Sequence, residues 1–71
     1  MPVVASIFRD PVRLTFVDED NRELASIERP EFVPRVGENV RLAGRPHLVE
    51  RVGYDFPDGP LERIWVVCRP T

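Results

Sequence analysis

The sequence predicts an all-β domain: a small, strongly bent barrel of five or six antiparallel strands. Three observations carry that prediction. No stretch keeps helical periodicity for more than about two turns, whereas short runs of alternating apolar and polar residues recur along the chain. Glycine, proline, Asp and Asn gather between those runs, the punctuation of short strands. The segment Val36–Val52, V-G-E-N-V-R-L-A-G-R-P-H-L-V-E-R-V, sets two short strands around a tight glycine turn. In a chain of 71 residues, which makes one domain over residues 1–71, such strands close best into a barrel.

Taken in order, Val3–Phe8 is apolar enough for an edge strand or a short helical turn, and Asp10-Pro11 ends it. Val12–Val17 alternates, with Val12, Leu14 and Phe16 on one face. Asp18-Glu19-Asp20-Asn21 is a turn by composition, and Glu23–Glu28 returns as a second strand with Ala25 and Ile27 on one face. Arg29–Gly37 is a connector holding Pro30 and Pro34, which Phe32 and Val36 are expected to anchor to the core. Asn39–Ala43 is the third strand, and Gly44-Arg45-Pro46 breaks the chain after it.

The fourth strand, Pro46–Phe56, is long and changes phase. His47 and Val49 share one face, while Val52, Tyr54 and Phe56 share the other. A bulge or sharp bend at Glu50-Arg51 lets both sets face inward. Phe56-Pro57-Asp58-Gly59-Pro60 is the clearest turn, with Gly59 expected at positive φ. Leu61–Arg69 returns as the fifth strand. It places Ile64, Val66 and Cys68 on one face and Leu61, Trp65 and Val67 on the other, and Pro70 stops it.

Size and composition bound the function. A chain this short has a marginal core, so it needs a disulfide, a metal, very regular packing or self-association. Cys68 is the single cysteine, which removes an intrachain disulfide and fits a reducing, cytoplasmic setting. His47 and Cys68 are the only soft ligands, too few for structural zinc, so no metal and no cofactor is expected. The opening Met1–Ser6 lacks a basic residue before its apolar part and is too short for a signal peptide or a membrane span, which predicts a soluble protein. Twelve Asp and Glu stand against ten Arg and no Lys; that balance disfavours non-specific contact with phosphate backbones.

The segment Pro34–Val52 resembles the opening hairpin of small SH3-like barrels. A proline leads into Val36-Gly37-Glu38, then a Val40-x-Leu42 strand, a turn at Gly44 and an apolar strand. The KOW modules of transcription and translation proteins open in a similar way, matched here at Gly37, Val40, Leu42 and Gly44. The second, glycine-containing half of a KOW motif is replaced by Pro46-His47-Leu48-Val49. The resemblance therefore implies an SH3-like barrel and speaks against a KOW type of nucleic-acid function. Sm-like proteins have comparable length and strand number but begin with a helix, which Pro2 and Pro11 make improbable for Met1–Asp10.

No residue cluster reaches a catalytic signature, so no catalytic residue is assigned and the chain is not read as an enzyme. His47 titrates near neutrality when unperturbed, but catalysis requires a nucleophile or carboxylate fixed beside it. A His47–Cys68 dyad depends on how the strands pair, and Cys68 aligns with Ile64 and Val66 as a small buried hydrophobe. Asp18-Glu19-Asp20-Asn21 lacks the glycine and distal Glu of a calcium loop and reads as a solvated hairpin tip.

The fifth strand, apolar on both faces, carries the functional expectation. Its second face must be covered, either by Val3–Phe8 or by another chain. Tryptophan, tyrosine and arginine concentrate binding energy at interfaces, so Trp65, Tyr54, Arg63 and Arg51 are the candidate binding residues. The expected function is a non-catalytic interaction module that binds itself or a larger protein partner. The alternative is a nucleic-acid-binding barrel in which the same aromatics and arginines stack bases. The two differ in what surrounds Trp65: a contiguous basic patch for nucleic acid, or an apolar patch rimmed by mixed charge for protein.

Overall fold

The structure, a computed structural model, describes residues 11–71. Among them are five strands and no helix: β1 Arg13–Val17, β2 Glu23–Glu28, β3 Asn39–Leu42, β4 Arg45–Asp55 and β5 Arg63–Pro70. They form one sheet in the order β2-β1-β5-β4-β3, curled into a nearly closed barrel. The expected sixth element, Val3–Phe8, lies outside the described residues.

Two local units build the sheet. The hairpin β1–β2 and the meander β3–β4–β5 are antiparallel throughout. They join where β1 lies parallel to β5, with Leu14 beside Ile64 and Phe16 beside Val66. The sheet is therefore mixed, which corrects the expectation of a purely antiparallel barrel. Tight turns dictate antiparallel neighbours, but no turn connects β1 to β5, so their relative direction is set by packing alone.

Each turn has a visible cause. Asp18 starts the β1–β2 turn: its Oδ1 accepts the N–H of Asp20 at 2.8 Å and of Arg22 at 2.9 Å. Asn21 then takes φ 65°, which its short polar side chain tolerates, and the ladder shifts by one residue at Phe16/Val17. Before β3, the turn Arg35–Glu38 closes through Glu38 N–H to Arg35 O at 3.0 Å, with Gly37 at φ 93°. Glu38 reinforces it by accepting the Arg35 N–H on Oε1 at 2.8 Å. Val36 sits at the corner of this turn and is exposed, as is Phe32. The expected anchors thus point to solvent; Val33 and Pro34 hold the connector to the core instead, because the turn fixes which side chains of 32–36 point inward.

The long fourth strand bends as expected. Val49 pairs with Cys68 and Arg51 with Val67, leaving Glu50 as the extra residue of a bulge. Without it, Val52 and Tyr54 would face away from His47 and Val49, since side chains alternate along a strand. With it, Val52 lies opposite Val66 and Tyr54 opposite Ile64, on the same side as Val49.

The core is Leu14, Phe16, Leu42, Val49, Ile64, Val66 and Cys68, all on the concave face. Val12, Ala25, Val33, Val40, Val52 and Leu61 pack around it. Burying a side chain of this size stabilises by roughly 1.5–3 kcal/mol. Thr15 and Val17, on the opposite side of β1, are buried too.

Candidate protein-binding face

The convex face is organised in cross-strand rows, because residues directly paired across a sheet project to the same side. One row runs Glu28, Arg13, Arg63, Asp55 across β2, β1, β5 and β4. The next runs Ser26, Thr15, Trp65, Gly53, and a third runs Glu23, Val17, Val67, Arg51. Trp65 stands in the middle row, 36% exposed, opposite the one β4 residue with no side chain. Among the described residues a Cβ added at Gly53 meets nothing within 4 Å, so the half-buried Gly53 leaves a gap beside the indole.

Arg63 lies against Trp65, its guanidinium carbon 4.9 Å from the ring centroid. At that distance the guanidinium is attracted to the ring face by a cation–π interaction. Arg13, beside Arg63 in the parallel pair, is drawn off by Glu28 in an ion pair of 2.8 Å. Pro11, Arg13, Glu28, Asp55, Glu62 and Arg63 line an open groove of about 540 Å³ at this end of the face. Three carboxylates and two guanidinium groups share it, so it concentrates neither sign of charge.

The candidate residues fall on two faces. Arg63, Trp65 and Arg51 share the convex face, Arg51 one row beyond Trp65 and exposed. Tyr54 is next to Trp65 along the hairpin but projects to the concave side, opposite Ile64. There it is 54% exposed, in a row that runs Ile27, Leu14, Ile64, Tyr54, at one mouth of the barrel. The bulge that turns Tyr54 inward is what separates it from Trp65. Arg13, Thr15 and Gly53, the neighbours that shape the Trp65 surface, carry no pattern in the sequence; only the register of β1 against β5 places them there.

At the far end of the sheet Glu50, carried on the bulge, pairs with Arg69 Nε at 3.1 Å. Glu19, from the β1–β2 turn, approaches Glu50 as well, and the carboxyl of Glu50, by hydrogen bonding and charge, pushes the Glu19 pKa up from its ordinary value. Asp18 shifts the other way: the Arg22 backbone N–H, the largest cause, holds its carboxyl below the usual range. The acidic turn thus engages Asp18 Oδ1 with its own backbone. Among the described residues no three His, Cys, Asp or Glu side chains group to hold a metal.

His47 and Cys68 share the concave face on neighbouring strands, offset by two residues: His47 pairs with Pro70 and Val49 with Cys68. Both are buried. Each is engaged with the backbone, His47 Nδ1 with Arg45 O at 3.0 Å and Cys68 Sγ with Val66 O at 3.9 Å. Burial, with a smaller contribution from the charge of Glu50, pushes the Cys68 thiol up, which suppresses the thiolate that nucleophilic chemistry needs. Comparison with protein families, curated proteins and solved structures gave no match.

Proposed function

We propose that the protein is a non-catalytic interaction module of the SH3-like barrel type that binds another protein through the convex face around Trp65. The observation that carries this reading is the partly exposed Trp65, beside the half-buried Gly53 and Val67 and at the margin of the buried Thr15 and Val17, between two rows of mixed charge. On one side stand Glu28, Arg13, Arg63 and Asp55, on the other Glu23 and Arg51. An aromatic anchor inside a mixed polar rim is the arrangement of protein interfaces. Nucleic acid asks for a contiguous basic stripe, and the arginines here alternate with carboxylates. Arg63 clamps the indole and Arg51 extends the rim. Tyr54 belongs to the opposite mouth and contributes to a partner only if that partner wraps the β4–β5 end. No helix among the described residues is long and apolar enough to cross a membrane; a cytoplasmic setting rests on the lone cysteine.

Trp65 is the only tryptophan, so its emission reports this face directly. The test follows emission while a candidate partner, or the protein itself, is raised in concentration. A blue shift that saturates with complex formation, and that Gly53→Glu abolishes without altering the circular dichroism, supports the reading. Saturable binding of single-stranded nucleic acid at physiological salt, lost in Arg63→Ala, establishes the alternative instead.

A further inference from the structure

We infer that the uncharged strip around Trp65 docks the chain's own segment Val3–Phe8, a built-in occupant that an external partner has to displace; this regulation rests on the reading of the convex face as a binding surface. Ser26, Thr15, Trp65 and Gly53 form the strip, with Val17 and Val67 in the next row, and none of the six carries a charge. Trp65 is 36% exposed there, beside the gap left by Gly53.

The place where the chain reaches β1 singles out the occupant. Pro11 lines the groove at the Arg63 end of the convex face. Just after it the chain is pinned: Arg29 N–H donates to Val12 O at 2.9 Å, and Arg13 N–H to Glu62 O at 3.3 Å. The ten residues before Pro11 therefore set out from a fixed point beside Arg63, whose guanidinium lies over the Trp65 ring. Asp before Pro favours turn initiation. A reversal at Asp10-Pro11 carries the preceding residues back over the face on which the groove opens.

Length and chemistry fit that path. From the Arg63 row to the Val67 row the distance along β5 is about 13 Å, and an extended segment as long as Val3–Phe8 spans about 20 Å. Val3, Val4, Ala5, Ile7 and Phe8 are apolar and Ser6 is neutral, which matches the strip. Arg9-Asp10 then falls at the groove, where Arg13, Arg63, Asp55 and Glu62 offer groups of both signs. A short tether holds such a segment at an effective concentration on the order of 1 mM. A competitor for the face then binds with an affinity reduced to the fraction of molecules in which the face is free.

Two measurements on the whole chain test this. A nitroxide attached at Ser6→Cys, with Cys68 buried and left unlabelled, is expected to broaden the Gly53 amide and Trp65 indole resonances and to spare the amide of Gly44, at the opposite end of β4. Ile7→Glu with Phe8→Glu is expected to shift Trp65 emission to the red at unchanged circular dichroism. A fluorescein-labelled Met1–Asp10 peptide is then expected to bind this double variant with a dissociation constant below about 0.1 mM by anisotropy, and the wild type at least tenfold more weakly, because its face is filled. Gly53→Glu in the double variant abolishes the peptide binding. Broadening no greater at Gly53 than at Gly44 overturns the inference, and this reading stands even where the double variant fails to fold. So does a peptide that binds both proteins equally or neither. A wild-type emission that moves to the red on dilution overturns it as well, since a contact within one chain is independent of concentration. None of these measurements contains an external partner, so they fail or succeed independently of the partner titration.

Discussion

Ala43 holds φ 54° and Gly44 φ 81°, the two central positions of the turn between β3 and β4. Two consecutive positive φ values are the geometry of a two-residue hairpin turn that matches sheet twist, and Asn-Gly is the pair best suited to it. Alanine at the first position is strained, because its Cβ crowds the backbone in the left-handed region. Ala43→Asn is expected to stabilise by about 0.5–1 kcal/mol, read as a higher denaturation midpoint at unchanged slope. Gly59, at φ 107°, tests the converse: Gly59→Val is expected to destabilise by more than about 1 kcal/mol, although no atom of the described residues lies within 4 Å of the added Cβ. The two turns also show what a residue discloses. Gly59 follows Pro57-Asp58, a combination with a conformational meaning, and its positive φ is readable from sequence. Ala43 has no such meaning, so the sequence places it in the strand and puts the break at Gly44-Arg45-Pro46, whereas β4 already begins at Arg45.

At the scale of elements, the β1–β2 hairpin carries two carboxyls that titrate in opposite senses. Asp18 is depressed below 3.8, so its contribution to stability is complete above that pH and is lost as pH falls through the lower folded value. Glu19 is raised above 4.5, so it favours the folded state most below that pH, and that contribution is lost as pH rises through the folded value. Asp18→Asn is therefore expected to lower stability at neutral pH, the difference from wild type closing as the pH falls below about 3.8. Glu19→Gln is expected to raise stability at neutral pH and to leave it unchanged in acid. Denaturation midpoints from about pH 3 to 7 read both, and a Glu19→Gln midpoint that tracks wild type throughout removes the Glu19–Glu50 contact from the account. The hairpin, the β4 bulge and the β3–β4 pair were legible because each is written in local residues: Asp and Asn, a phase change at Glu50-Arg51, a glycine. The position of Tyr54 relative to Trp65 was not. The expected bulge already turns Tyr54 inward and the alternation of β5 turns Trp65 outward, but grouping the two as one site took neighbours along a hairpin to share a face, and the pairing of Tyr54 with Ile64 shows that they do not.

At the scale of the whole molecule, one seam joins the two local units. β1 and β5 lie far apart in the chain and pair in parallel, with Leu14 beside Ile64 and Phe16 beside Val66. The two-faced apolar pattern of β5 calls for cover on both sides, yet Trp65 stays 36% exposed among the described residues; which strand lies beside β5, and in which direction, depends on long-range packing that no local residue encodes. Cys68 makes the seam measurable. It is fully buried on β5, which has β1 on one side and β4 on the other, and burial also raises its thiol. A thiol reagent reaches it only when the sheet opens, so in the fast-closing regime the labelling rate follows the equilibrium population of the open form. A chain of this length has a global stability of about 4–10 kcal/mol, so labelling is expected to be slower than in the unfolded chain by roughly three to seven orders of magnitude. Leu14→Ala deletes a core side chain on the far side of the seam and is expected to cost about 2–5 kcal/mol. If β1 and β5 open together, the same substitution accelerates Cys68 labelling by about 30- to 5,000-fold, the equivalent of that loss. If labelling in Leu14→Ala stays at the wild-type rate while the denaturation midpoint falls, the β3–β4–β5 meander opens independently of the β1–β2 hairpin, and the barrel is two cooperative units rather than one.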